Sequence, residues 1–277
     1  MRRPALLALL LLAGRAVLGQ SVSPSALTTA GGTGSVGPVS IAHSFGQPFT
    51  ATLQGPSSRL TQGVHQAEPL RLRLHARVCL QGPYDESSGL MSDALRAGGL
   101  LPATEPYTAL GHAHPTSGGE HVLPLVLLAT GSDAIVDWVR LELRPAADLT
   151  VVAAARNALV QRDGDIVDAD GSSPVPFAAP PGSYHVLVRH RNHLGAMTAA
   201  PLPLASAATA IDLTDGSTAT YGTEAQALLG TVRALWCGDV SDDGALKYVG
   251  LGNDRDPILV GIGGSTPTAT ATGYSPL

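Results

Sequence analysis

Apolar and polar residues alternate most cleanly between Leu70 and Leu80. Leu70, Leu72, Leu74, Ala76, Val78 and Leu80 interleave with Arg71, Arg73, His75, Arg77 and Cys79, the period of a strand with one buried face. The period returns from Asp137 to Arg144, where Val139, Leu141 and Leu143 oppose Arg140, Glu142 and Arg144. It returns again after Pro181-Gly182, with Tyr184, Val186 and Val188 against His185, Leu187 and Arg189. Val122 to Ala129 is a near-continuous apolar run interrupted by Pro124, and Thr150 to Ala155, Ala158 to Gln161 and Ala210 to Leu213 read as further strands. Asp163-Gly164 predicts a hairpin turn into Ile166-Val167. Roughly seven to nine short strands with turn signals about every ten residues predict a mainly β fold, a β-sandwich.

Helical signals are few. Met91 to Leu101 reads as a short helical turn or loop, and Thr223 reads as the cap of a short helix through Leu229, with Gln226 as its capping-box partner. Trp236 is large enough to plug the join between the sandwich and the C-terminal segment. Asp256-Pro257 ahead of Ile258, Leu259, Val260 and Ile262 reads as N-cap and first-turn proline, with Gly263-Gly264 ending the helix.

The first 19 residues have the anatomy of a secretory signal: Arg2-Arg3, then the apolar run Ala5 to Ala13, then small residues. Cleavage after Gly19 or after Ala16 fits, and the expected location is secreted or at the cell surface, with no later run of membrane-spanning length. Residues 20–65, rich in Ser, Thr, Gly and Pro, read as a linker with weak strand patterns at Val39 to Ile41 and Phe49 to Leu53. Residues 66–235 then form the sandwich and 236–277 a small C-terminal module. The run Gly31 to Gly37 matches a dinucleotide fingerprint formally, but no strand-turn-helix context surrounds it.

Composition agrees with a turn-rich extracellular chain: 14% charged, 4% aromatic, with 32 Gly and 21 Pro among 277 residues. A net charge of −5 speaks against nucleic acid as a partner. Cys79 and Cys237 are either bridged or two separate thiols, since spacing alone cannot place their Cα atoms.

The most specific chemistry lies in Gly238 to Val260. Asp239, Ser241 and Asp243 alternate, Gly244 comes next, and Ala245 would offer a carbonyl, the opening of an EF-hand-type Ca2+ loop with oxygens at positions 1, 3, 5 and 7. Position 12 is Gly250, which has no side-chain oxygen; the next carboxylates are Asp254 and Asp256. Asp, Ser and Gly clusters also make ordinary turns.

This stretch resembles the atypical dockerin-type calcium repeat at the C-termini of large secreted proteins of Bacteroidetes-type bacteria. LQGPYDESSGLMSDALRAGGLLPATEPYTALG, VRHRNHLGAMT and the ALWCGD lead-in resemble the domain that precedes it, so the likeness spans roughly residues 70 to 264. The resemblance implies a sandwich followed by a dockerin-like calcium loop-helix module, a half-module with one loop where such modules usually carry two. It implies a non-enzymatic, calcium-stabilised surface module for attachment or display, with a protein or polysaccharide as partner.

Other chemistry is thinner. Asp163, Asp165, Asp168 and Asp170 fit a hairpin and the next turn better than a calcium loop. His112, His114, His121, His190 and His193 lack a metalloprotease pattern and read as surface-loop residues. No nucleophile elbow or phosphate loop is present in the sequence. The competing expectations are a carbohydrate-binding or carbohydrate-active domain and a metal-free structural spacer.

Overall fold

The computed structural model describes residues 71–264, with Thr268, Thr270 and Tyr274 after them and four strands before them. The chain divides into two compact units, Met1–Glu68 and Pro69–Leu277. In the first unit β1 (Ala30–Val36) pairs antiparallel with β2 (Val39–Phe45), and β3 (Thr52–Gln54) with β4 (Arg59–Thr61). The glycine-rich run thus lies within a strand up to Val36, and not at a strand-to-helix turn where a phosphate would be cradled. The expected leader at 1–19, Phe49 and Leu70 fall outside the described residues.

The second unit is mainly β. It opens with β5 (Leu72–Arg77), β6 (Cys79–Leu80), the small hairpin β7 (Tyr84–Asp85) and β8 (Leu90–Met91), and one helical turn, α1 (Ala94–Ala97). After a long cover segment come β9 (Ile135–Pro145), β10 (Ala154–Gln161), β11 (Asp165–Val167), β12 (Val175–Phe177), β13 (Gly182–His190) and β14 (His193–Met197). Four further strands complete the unit: β15 (Leu202–Leu204), β16 (Thr209–Asp212), β17 (Ala227–Leu229) and β18 (Val232–Leu235), and then α2 (Arg255–Gly261). One sheet runs β12-β5-β11-β10-β9-β13-β14, with β15 along β13 and β16 parallel to β5. A smaller sheet, β17-β18-β6, shares its strand β6 with the chain that leaves β5.

Alternation explains the main core. Leu72, Leu74, Ala76, Val139, Leu141, Leu143, Val186 and Val188 pack with Phe177, Ile211 and Leu235 in one aliphatic cluster. Each such side chain contributes about 1.5–3 kcal/mol by leaving water. The opposite face of β9 is the surprise. Arg140 and Glu142 are 1% and 3% exposed, and the segment between α1 and β9 reaches this face of the strand. Tyr107 Oη donates to Trp138 O (3.0 Å), Trp138 Nε1 to Pro102 O (2.9 Å), and Arg140 to Ala113 O. Trp138, Tyr107, Ile135, Leu159 and Val122 form a second core under this cover.

Several local expectations change in this context. Val122 to Ala129 is not a strand. Pro124 removes a ladder donor, the chain folds into a 3-10 turn at Val126–Leu128, and Leu123, Leu125 and Leu128 face solvent. Thr150 to Ala155 and Ala158 to Gln161 are not two strands: one strand begins at Ala154 and runs through both. The hairpin turn at Asp163-Gly164 forms as expected, with Gly164 at φ +95° and no room for a Cβ, which would sit 3.0 Å from Val78 O.

Thr223 to Leu229 does not make a capped helix. Glu224 sits at φ +53°, β17 and β18 pair as a hairpin, and Gln226 gives its Nε2 to Leu213 O (2.8 Å). Trp236 is half-buried at that join and donates Nε1 to Glu224 O (2.9 Å). Helix α2 exists but starts at Arg255, ahead of the Asp256-Pro257 start that the pattern implied, and ends where Gly264 N–H bonds Leu259 O (2.7 Å). Cys79 is buried and Cys237 exposed, both as free thiols, so the bridge does not form.

Candidate functional site

The loop from Gly238 to Asn253 leaves the small sheet immediately after Cys237 and returns to α2. Asp254 organises it. Its Oδ1 accepts the Val240 N–H (3.0 Å), the Ser241 N–H (3.1 Å) and Ser241 Oγ (3.0 Å), and its Oδ2 accepts the Lys247 N–H (2.8 Å). Burial raises this carboxyl, but the four donors outweigh it and hold it below its usual value. A carboxylate late in the stretch does swing back into the loop, bringing Ser241 with it, and its oxygens are taken by the loop's own donors.

Asp239 is the opposite case. It is 1% exposed; Oδ2 accepts the Gly244 N–H at 3.2 Å, and Oδ1 is buried with no partner. Burial, then the charge of Asp242, with Asp254 and Asp243 adding and the Gly244 N–H subtracting, push its carboxyl up to about 6. A buried oxygen without a donor costs about 1–3 kcal/mol until a proton or cation meets it.

The remaining predicted ligands sit around this pair. Asp243 accepts the Ala245 N–H (2.9 Å) and lies 3.7 Å from Lys247 Nζ. Ala245 therefore enters through its N–H. Asp256 lies on the first turn of α2, held by Asn253 Nδ2 (2.8 Å) and Arg255 (3.1 Å). Among the described residues no three His, Cys, Asp or Glu side chains converge into a ready metal cage.

Sequence reasoning missed the residue that ties the loop to the sheet. Asp242, at φ +53°, turns outward to Arg189 on β13 (2.9 Å) and to His112 Nε2 in the cover segment (3.3 Å). Asp is among the few non-glycine residues that enter this left-handed region at modest cost. Arg189 stands beside Glu142, which is gripped by Arg140 (2.7 Å) and Arg144 (2.6 Å). Burial raises Glu142, but the two arginine bonds hold it below its usual value. Position 4 of a calcium loop is not a ligand position, and that was the available signal that Asp242 points elsewhere.

His190 and His193 correct the surface-loop reading: they are 2% and 5% exposed. They flank the two-residue turn Arg191-Asn192 between β13 and β14. His190 Nε2 meets Asp137 Oδ2 at 3.2 Å, Arg191 meets the same oxygen at 2.6 Å, and Tyr274 Oη donates to Asp137 Oδ1 at 3.3 Å. Burial raises Asp137, but His190, Arg191 and the Trp138 N–H pull it below its usual value. Burial, with His190 and Arg191 nearby, drives His193 down to about 2, so it stays neutral.

Each aspartate of the run Asp163, Asp165, Asp168 and Asp170 has a turn or arginine contact, as its spacing implied. Comparison of the chain with protein-family models, with curated proteins and with solved structures finds no match in any of the three.

Proposed function

We propose that this protein is a non-enzymatic exported module whose C-terminal loop takes up calcium and is stabilised by it, serving attachment or display at a cell surface. The observation that carries the reading is Asp239 Oδ1, buried and without a donor, on a carboxyl raised further by the negative charge of Asp242, Asp254 and Asp243. A hard, oxygen-seeking cation relieves that arrangement better than any neutral group. Asp239 would be its principal side-chain ligand, and Asp254 would shape the loop through the amides. The dockerin-like resemblance of Gly238 to Val260 supports the same choice of ion. Tyr248, Val249, Leu251 and Val260, exposed at 76%, 66%, 101% and 73%, put an apolar surface beside the loop and favour a protein partner.

The thermal midpoint of the mature protein with millimolar calcium, then with excess chelator, tests the reading. Calcium at about one hundred times its Kd adds about 2.7 kcal/mol, a rise of roughly 5–10 °C for a chain of this size. Asp239→Ala removes the rise and Asp163→Ala keeps it. No calcium-dependent shift in the unmodified protein sinks the proposal and leaves the loop as an ordinary turn.

A second reading rests on one observation. An open cleft of about 640 Å³ is lined by His75, Arg77, Asp165, Asp212, Ser217 and Thr218 among others. Its mixed lining, with apolar Ile166, Ala210 and Ile211 beside these polar groups, suits a small glycan. Calorimetric titration with mono- and disaccharides that shows no heat, in the unmodified protein and in Arg77→Ala alike, removes that reading.

A further inference from the structure

The chain entering the acidic loop meets β14 at a single isolated pair, His193 and Cys237. Leu194 N–H donates to Trp236 O (2.8 Å) and Gly238 N–H donates to Asn192 O (2.9 Å), which brackets His193 and Cys237 as an antiparallel pair. The two bonds flank the pair, so it is of the non-hydrogen-bonded kind. In such a pair the side chains share one face, with Cβ atoms about 4.5–5.5 Å apart. Cys237 is exposed and its thiol free, whereas His193 is 5% exposed.

The imidazole is oriented. His193 Nδ1 lies 2.7 Å from Asn192 Oδ1 and 3.0 Å from His190 Nδ1. An amide oxygen only accepts, so Nδ1 carries the proton and Nε2 keeps its lone pair. That Nε2 is buried and has no hydrogen-bond partner. It faces the segment Gln81-Gly82: a Cβ placed on Gly82 would come 3.9 Å from it. Cys237 is fastened to the same segment, its N–H donating to Gln81 Oε1 at 3.0 Å. A lone pair with no donor and a free thiol therefore belong to the two residues of one cross-strand pair.

We propose that Cys237 Sγ and His193 Nε2 bind a thiophilic divalent metal ion, Zn2+ or its relatives, with water completing the shell on the exposed side of Cys237. Sulfur and imidazole ligands suit zinc and its neighbours, whereas calcium takes oxygen. Bond lengths of about 2.3 Å to sulfur and 2.0 Å to nitrogen fit between side chains at this spacing. His193 is held for the metal by Asn192 and by His190, itself bonded to Asp137, the outer-shell support that orients metal-binding histidines. Two protein ligands make an exchangeable site, not a structural one. This site does not depend on the calcium loop.

The test is a titration of the reduced full chain with Co2+ in excess calcium, read by the thiolate-to-cobalt charge-transfer absorption in the near ultraviolet. One equivalent of cobalt develops the band, Zn2+ abolishes it, Cys237→Ser removes it and Cys79→Ala retains it. His193→Gln weakens binding at least tenfold with an unchanged circular dichroism spectrum. Because His193 is buried, Asn192→Ala is the gentler companion, with a loss of about tenfold. The proposal is overturned by no band in the unmodified protein, by a band that survives Cys237→Ser, or by one that neither His193→Gln nor Asn192→Ala weakens. A calcium effect on stability plays no part in this readout, so the two proposals fail separately.

Discussion

Two acidic stretches of this chain look alike on paper and differ in the fold. In the first, Asp163 accepts the Asp165 N–H (3.1 Å), Asp165 pairs with Arg77 (2.8 Å), Asp168 pairs with Arg156 (2.7 Å), and Asp170 accepts the Ser172 and Ser173 N–H groups (3.0 and 2.8 Å). In the second, Asp254 is equally well supplied, but Asp239 keeps one buried oxygen with nothing to accept from. The density of aspartates is similar. What separates a turn from a candidate cation site is whether every buried oxygen has a donor.

The comparison breaks most visibly at Asp254. Asp254→Ala strands the N–H groups of Val240, Ser241 and Lys247 and should cost about 3 kcal/mol locally. Hydrogen exchange at those three amides is expected to accelerate while β9 and β10 stay protected, and calcium stabilisation is lost. Unchanged exchange at the three amides would mean that Asp254 does not organise the loop.

Next in size is the pH dependence of Asp239. Its folded value of about 6 lies above the unfolded 3.8, so its contribution is fully present below pH 3.8 and is lost as pH rises through 6. The loss is roughly 2–3 kcal/mol, from about 1.4 kcal/mol per unit. His193 and His112, both held below 6.5, act the other way and add stability as pH rises toward neutrality. Glu142 and Asp137, held low, act only below about pH 4.5. The measurement is therefore a difference: denaturant unfolding of the unmodified protein against Asp239→Asn from pH 4 to 7, without calcium. The unmodified protein should lose ground against the variant as pH rises, and saturating calcium should invert that trend. Parallel curves would remove Asp239 as the strained group.

The smallest effect belongs to the first stretch. Asp170→Ala deletes two solvent-facing turn bonds and should cost only about 0.5–1 kcal/mol, with calcium stabilisation unaltered. A change in calcium response there would erase the distinction between the two stretches.

Much of the fold follows from period and turn chemistry read along the chain. The alternation Leu72, Leu74, Ala76 is the buried face of β5, and Asp163-Gly164 and Pro181-Gly182 mark the starts of β11 and β13. The spacing of Asp239, Ser241 and Asp243 led to the stretch where an orphaned carboxylate lies, because a loop that bends around its own oxygens is a local matter. Local pattern failed where a partner distant in sequence decided the outcome. Val122 to Ala129 has strand composition but pairs with no strand among the described residues, and Ala227 to Leu229 pairs with Val232 to Ala234 where the local pattern implies a helix.

The same division holds for chemistry. Sequence by itself determined the strand periods, the acidic loop and the identity of the groups it contains. Tertiary structure alone decided that Arg140 and Glu142 are interior, that His190 and His193 are buried beside Asp137, and that Cys237 stands across from His193 and not bonded to Cys79. Burial and donor supply depend on chain segments up to 156 residues apart, such as Gln81 and Cys237, and no local window contains both.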